Sequence, residues 1–149
     1  MKRLHTEVLI DATPAEVWAV LTDFSRYGEW NPFVVDASGV PREGTTLRVT
    51  LAPPGGRRIT LNPEVTAVAP GEVLEWWGHL GVRGLFDGRH RFELSAEGRG
   101  THLVQSEIFT GVLVPFVARS LDRGTAAGFA LMNSALKARA EKQAADAIG

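Results

Sequence analysis

The spacing of apolar residues changes period once along this chain, and that change limits the fold more than any other feature. Between Phe33 and Thr110 apolar residues recur at alternate positions, and from Val114 onward they recur at spacings of three and four. Period two marks half-buried strands, and a period near 3.6 marks an amphipathic helix. The run "TLRVTLA" sets Leu47, Val49 and Leu51 on one face and Arg48 and Thr50 on the other. "FVVDAS", "RRITLNPEVTAVA", "EVLEWWGHL", "LFDGRHRFEL" and "THLVQSEIFTG" supply the other strands of this series, and "PPGG", "PGE" and "EGRG" supply turns. Pro63 has no amide proton to give a neighbouring strand, so it marks an edge or a bulge. In the helical part Phe129, Met132, Leu136 and Ala140 share one side, and Leu121, Thr125 and Gly128 extend that stripe toward the helix start.

Ahead of this series, "RLHTEVLI" is one more strand, with Leu4, Thr6, Val8 and Ile10 on its inner face. "DATPAEVWAVL" then opens a helix: Thr13 is the N-cap, Pro14 takes the first helical position, and Glu16 completes a capping box. A second short helix runs from Asp23 to about Trp30, and Pro32 stops it. The stretch "DFSRYGEWNPFV" concentrates aromatic residues where Gly28 and Pro32 forbid one long element, as expected of a lid-like corner beside an internal pocket. The order predicts an α+β, helix-grip fold: a curved seven-stranded antiparallel sheet around one long C-terminal helix, with two short helices after strand 1. The space between sheet and helix, roofed by the short helices, is the expected pocket. Residues 1–149 are expected to form one domain.

Composition removes several functions. Sixteen Lys and Arg against seventeen Asp and Glu leave a net charge of -1, without the basic face that a nucleic-acid partner requires. The absence of cysteine excludes disulfides, thiolate chemistry and cysteine metal sites, and it fits a reducing, cytoplasmic location. "MKRLHTEVLI" lacks the apolar core of a signal peptide, and no apolar run approaches the roughly 20 residues that span a bilayer, so no integral membrane association is expected. No G-x-S-x-G elbow, P-loop or dinucleotide fingerprint is present, and nothing calls for a cofactor. His5, His79, His90 and His102 are dispersed, and parity turns His5 and His102 to solvent, so no metal site is expected.

The best polar constellation lies in the last hairpin. Centring its turn between Gly98 and Arg99 sets Phe92 opposite Gln105, Leu94 opposite Leu103 and His90 opposite Glu107. The same parity sends Phe86, His90, Phe92, Gln105 and Glu107 inward among aromatics. A buried carboxylate is costly unless paired or protonated, and an adjacent imidazole is a natural partner. His90 and Glu107 are therefore candidates for an acid/base pair, for an anchor that orients a ligand, or for a satisfied internal hydrogen bond that fixes register. Trp30 and Asn31, just before the first strand of the large series, are expected near the pocket mouth, the alternative being ordinary packing with Asn31 tying the turn. Leu74 and Trp76 belong to the inner face, as do Phe129 and Met132 of the long helix. Trp77 falls on the outer face, either as a homodimer contact or as a shielded edge aromatic. Arg57 and Arg58 follow a glycine turn, where they steer an acidic ligand or simply sit in solvent.

Three blocks of the sequence resemble a known superfamily: "IDATPAEVWAVLTDFSRYGEWNPFV", "GRHRFELSAEGRGTHLVQSEIFTG" and "AAGFALMNSALKARAE". They are similar to the START-like or SRPBCC superfamily, which includes the Bet v 1-type allergens, and in particular to small bacterial members related to polyketide cyclases and dehydrases. The resemblance implies a helix-grip domain with a hydrophobic ligand cavity. It leaves three functions open: a carrier of a small hydrophobic or amphipathic molecule, a cyclase or dehydratase using His90 and Glu107, and a protein-interaction module like the co-chaperone activators of that superfamily.

Overall fold

The computed structural model describes residues 1–148. Strand β1 (Lys2–Ile10) leads into α1 (Pro14–Thr22), a 3-10 turn (Phe24–Arg26) and α2 (Tyr27–Trp30). Strands β2 (Val34–Ser38), β3 (Arg48–Leu51), β4 (Ile59–Leu61), β5 (Glu64–Ala69), β6 (Val73–Leu80), β7 (Phe86–Glu97) and β8 (Gly100–Thr110) follow. The chain ends in α3 (Val114–Ser120), a π-helical turn (Leu121–Thr125) and α4 (Ala126–Ile148). The capping box starts α1: Glu16 N donates to Thr13 Oγ1 at 3.2 Å, and Thr13 N donates to Glu16 Oε1 at 2.9 Å.

The sheet differs from the expected seven strands in two respects. "RRITLNPEVTAVA" splits at Asn62 and Pro63 into β4 and β5, and the strands divide into two sheets, β1-β8-β7-β6-β5 and β2-β3-β4. Pro63 cannot donate, but its carbonyl accepts from Leu47 N at 2.8 Å. That bond, with Val65 N donating to Thr45 O at 2.9 Å, joins β5 of one sheet to the segment that leads into β3 of the other.

The hairpin register is the one its turn dictates. Gly98 takes a φ of 60°, which suits glycine, and His90, Phe92 and Leu94 stand opposite Glu107, Gln105 and Leu103. β8 passes that parity to β1, where Thr6 faces Gln105. β7 passes it to β6, where Trp76 faces His90 and Gly78 faces Gly88. The curved inner face closes on α4, whose Phe129, Met132, Leu136 and Ala140 are fully buried. Gly128 lets the helix come this close: a Cβ there would lie 2.3 Å from Phe33 Cδ1.

The aromatic corner is a plug rather than a roof. Phe24 packs edge-on to Tyr27 at 5.5 Å and to Trp76 at 6.4 Å, while the Tyr27 hydroxyl donates to the Leu21 carbonyl. Arg139 of α4 ties the corner down through Glu29, 2.6 Å away. On the outer sheet face Trp77 is half-buried on β6, between β7 and β5, with the Arg83 guanidinium 4.5 Å above its ring. Beside it Glu75 is buried under Arg89 and Arg91, which donate to it at 3.0 and 2.9 Å, with Thr66 at 2.9 Å. Burial alone raises the pKa of this carboxyl, but the hydrogen bonds from Thr66, Arg91 and Arg89 outweigh it and hold the group below its ordinary value.

Candidate functional site

The concave side of the sheets encloses a cavity of about 570 Å³. Buried Phe33, Val49, Trp76, His90 and Phe109 line its floor, and exposed Arg57, His79, Leu80, Leu113 and Arg123 line its rim. Its cover is not the pair of short helices. The β3–β4 loop at Pro53 to Arg57 and the α3 and π-turn segment border it instead, and these two approach each other where Gly124 meets Pro53.

Of the residues expected at the pocket, Trp76, Phe86, His90 and Glu107 line the cavity. Leu74, Phe92, Phe129 and Met132 are fully buried in the core behind it. Trp30 packs on Tyr27, with ring centres 5.1 Å apart, and does not border the cavity. Neither does Asn31, whose Oδ1 accepts from the amides of Phe33 and Val34 at 3.0 and 2.9 Å and so ties the turn into β2. Both residues lie on the plug, away from the opening, because Pro32 turns the chain into the sheet and only Phe33 and Val34 reach the cavity wall.

Gln105 is fully buried behind His90, and it belongs to a chain of hydrogen bonds whose direction is fixed. The Thr6 hydroxyl donates to the Gln105 main-chain carbonyl at 2.8 Å, so its oxygen accepts from Asn133 Nδ2 at 2.9 Å. Asn133 Oδ1 then accepts from Gln105 Nε2 at 2.6 Å, which turns Gln105 Oε1 toward His90 Nε2, 3.0 Å away. An amide oxygen can only accept, so His90 Nε2 carries a proton. His90 Nδ1 lies 3.0 Å from Glu107 Oε1. One proton therefore occupies the bond between them, either as imidazolium and carboxylate or as neutral imidazole and carboxylic acid. The imidazole is stacked on Trp76 at 5.1 Å and set edge-on to Phe129 at 4.9 Å, which fixes its plane.

Two positions missed by parity reasoning complete the site. Gly88 and Gly78 form a cross-strand pair on the cavity wall, where neighbours already take up the space beside them: Glu107 at Gly88 and Pro63 at Gly78. A Cβ at Gly88 would lie 2.1 Å from Glu107 Oε2, so this carboxylate needs the glycine beside it. A glycine inside an otherwise regular strand is the signal that points to such a close approach, and "FDGRH" contains it. Asn133 was legible only as part of a family-like block, because its partner Gln105 lies on a distant strand.

The cavity, its polar corner and the helix gripped by the sheet define a helix-grip ligand-binding type of domain. The chain belongs to the polyketide cyclase/dehydrase and lipid transport family, whose model matches residues 1–141. Members of this family have a cavity for hydrophobic ligands. The fold is similar to that of MLL2253 from Mesorhizobium loti, at 21% identity and TM-score 0.69 over 91% of this chain and 94% of that one. It is also similar to StfQ, a di-domain ARO/CYC of the steffimycin biosynthetic pathway, at 15% identity and TM-score 0.76 over 96% of this chain and 52% of that one. DynU16, a protein of the dynemicin biosynthetic locus, matches at 21% identity and TM-score 0.71 over 97% of this chain and 49% of that one. No curated protein is significantly similar to it in sequence.

Proposed function

We propose that the chain binds a small apolar or amphipathic molecule in the cavity and acts as its carrier. In this reading a hydroxyl or other hydrogen-bond donor of the ligand meets Glu107 Oε2. The observation that supports it is an apolar cavity of about 570 Å³ with a single polar corner on its floor. This volume falls within the range of about 300–1,000 Å³ usual for small-molecule sites. Burying apolar ligand surface supplies affinity at about 25 cal/mol per Å². The hydrogen bond to the buried carboxyl oxygen supplies selectivity, about 1–3 kcal/mol between ligands with and without the donor. Arg57 and Arg123 on the rim suit an acidic group at the ligand's other end.

One observation favours a second reading, a cyclase- or dehydratase-like enzyme. His90 and Glu107 are titratable groups in direct contact on the cavity wall, and a carboxylate held by an imidazole is placed to take a proton from a bound substrate.

Tryptophan fluorescence with a fatty acid and with a hydroxylated flat aromatic probe tests the carrier reading. Trp76→Leu should abolish the response and Trp30→Leu should keep it. Glu107→Gln should keep binding of apolar probes and weaken the hydroxylated probe by about tenfold or more. Absence of any probe binding would sink this reading. A substrate turned over by wild type and slowed about 10²–10⁴-fold in Glu107→Gln would favour the enzyme.

A further inference from the structure

Five of the ten large apolar residues exposed among the described residues gather beside the cavity rim. Phe116 is 83% exposed, Val82 69% and Val112 68%, and all three lie on segments beside the cavity rim. Their loops are interlocked: Val112 N donates to Gly84 O at 3.0 Å, and Leu113 N donates to Leu85 O at 3.1 Å. Leu80 and Leu113 continue the patch onto the rim itself.

The charges around this patch are mostly positive. The three segments 53–58, 79–85 and 111–125 carry Arg57, Arg58, Arg83, Arg119 and Arg123, all exposed. Their only acidic residue is Asp122, and Lys2 holds it at 2.7 Å. None of the five arginines forms an ion pair among the described residues. A chain with a net charge of -1 has thus gathered arginines without an ion-pair partner around an apolar face, Arg83 among them lying over the Trp77 ring.

From this arrangement we propose that the cavity rim docks on an anionic membrane surface, with Phe116 and Val112 entering the acyl boundary and the arginines contacting lipid headgroups. An apolar centre ringed by arginine matches a bilayer interface, where hydrocarbon lies just beneath negative charge. A second copy of the chain is a poorer occupant. A two-fold contact sets the same surface against itself, and here it would press these arginines together. Docking in this orientation brings the cavity opening, at Leu80 and Leu113, directly against the lipid. The inference does not depend on which molecule fills the cavity. Among the described residues no helix is long and apolar enough to cross a membrane.

Flotation with two vesicle types tests it, one of phosphatidylcholine alone and one of phosphatidylcholine with phosphatidylserine. Wild type should float with the anionic vesicles, and binding should weaken as salt rises. Neither Phe116 nor Arg119 lines the cavity, so variants there leave probe binding intact as an internal control. Phe116→Ser should weaken vesicle binding by roughly tenfold or more. Arg119→Glu should weaken it by about fivefold or more, on anionic vesicles only. Both variants should keep the wild-type melting temperature. Failure of wild type to float overturns the inference, as does equal binding to both vesicle types or unchanged flotation of the two variants. A wild-type dimer in sedimentation velocity that Phe116→Ser converts to monomer, with no vesicle binding, assigns the face to a second copy instead.

Discussion

Replacing Gly88 by alanine adds one methyl group at the most crowded point of the polar corner. The backbone accepts it, because Gly88 is not among the glycines with positive φ. The methyl carbon would lie 2.1 Å from Glu107 Oε2 and 3.2 Å from Cδ, so the carboxylate must rotate away. Rotation breaks its 3.0 Å contact with His90 Nδ1. Losing this buried hydrogen bond, and leaving the imidazole nitrogen without its partner, costs about 1.5–3 kcal/mol. Alanine in place of glycine within a strand returns about 0.5–1 kcal/mol. Urea unfolding should therefore show a net loss of about 1–2 kcal/mol. The imidazole nitrogen spectrum should change at Nδ1, which loses its partner, while Nε2 stays held by Gln105. In a Glu107→Ala background the obstacle is gone, and the same Gly88→Ala change should be neutral or slightly stabilising. The two sites must therefore couple in a double-mutant cycle. Additive single effects, or an unchanged His90 spectrum in Gly88→Ala, would refute the claim that Gly88 cradles the carboxylate.

Two further outcomes are expected. Gly128→Ala should destabilise the fold by about 1–3 kcal/mol, because its Cβ meets the buried Phe33 ring, and a neutral result in thermal unfolding would show that the ring has room to move. Glu75 has a folded-state pKa below its ordinary value of 4.5, so its stabilising contribution is complete above that value and disappears as pH falls through the folded one. Wild type should thus lose stability more steeply than Glu75→Gln as pH falls below the ordinary value of 4.5, and parallel pH profiles would contradict this.

The hairpin was legible because its information is local. A tight turn at Gly98 fixes the pairing of every residue behind it, so His90, Gln105 and Glu107 could be placed on one face by counting. Period and capping residues likewise mark α1 and the long helix. What counting cannot reach is how elements close on one another. Trp30 and Asn31 lie near the sheet in sequence, yet the cavity opens beside the β3–β4 loop and α3. That choice depends on how the second sheet folds over the first. The link from Gln105 to Asn133 joins a strand to a helix docked on it, and neither residue's neighbours in sequence announce the other. The break at Pro63 was visible as an irregularity, but its consequence, two sheets instead of one, follows from the Thr46–Glu64 bridge and the carbonyl of Pro63.

The π-helical turn at Leu121–Thr125 separates the part of the C-terminal segment that shapes the cavity from the part that grips the sheet. Such a turn holds one residue more than a regular helix would, and one residue corresponds to about 100° of rotation. It works as a gear between two shafts. Removing or adding one residue there re-aims α3, with Val117 and the rim, while α4 keeps Phe129, Met132 and Leu136 seated. Single-residue length changes at this turn are therefore a route by which chains of this architecture can redraw the cavity opening without rebuilding the core.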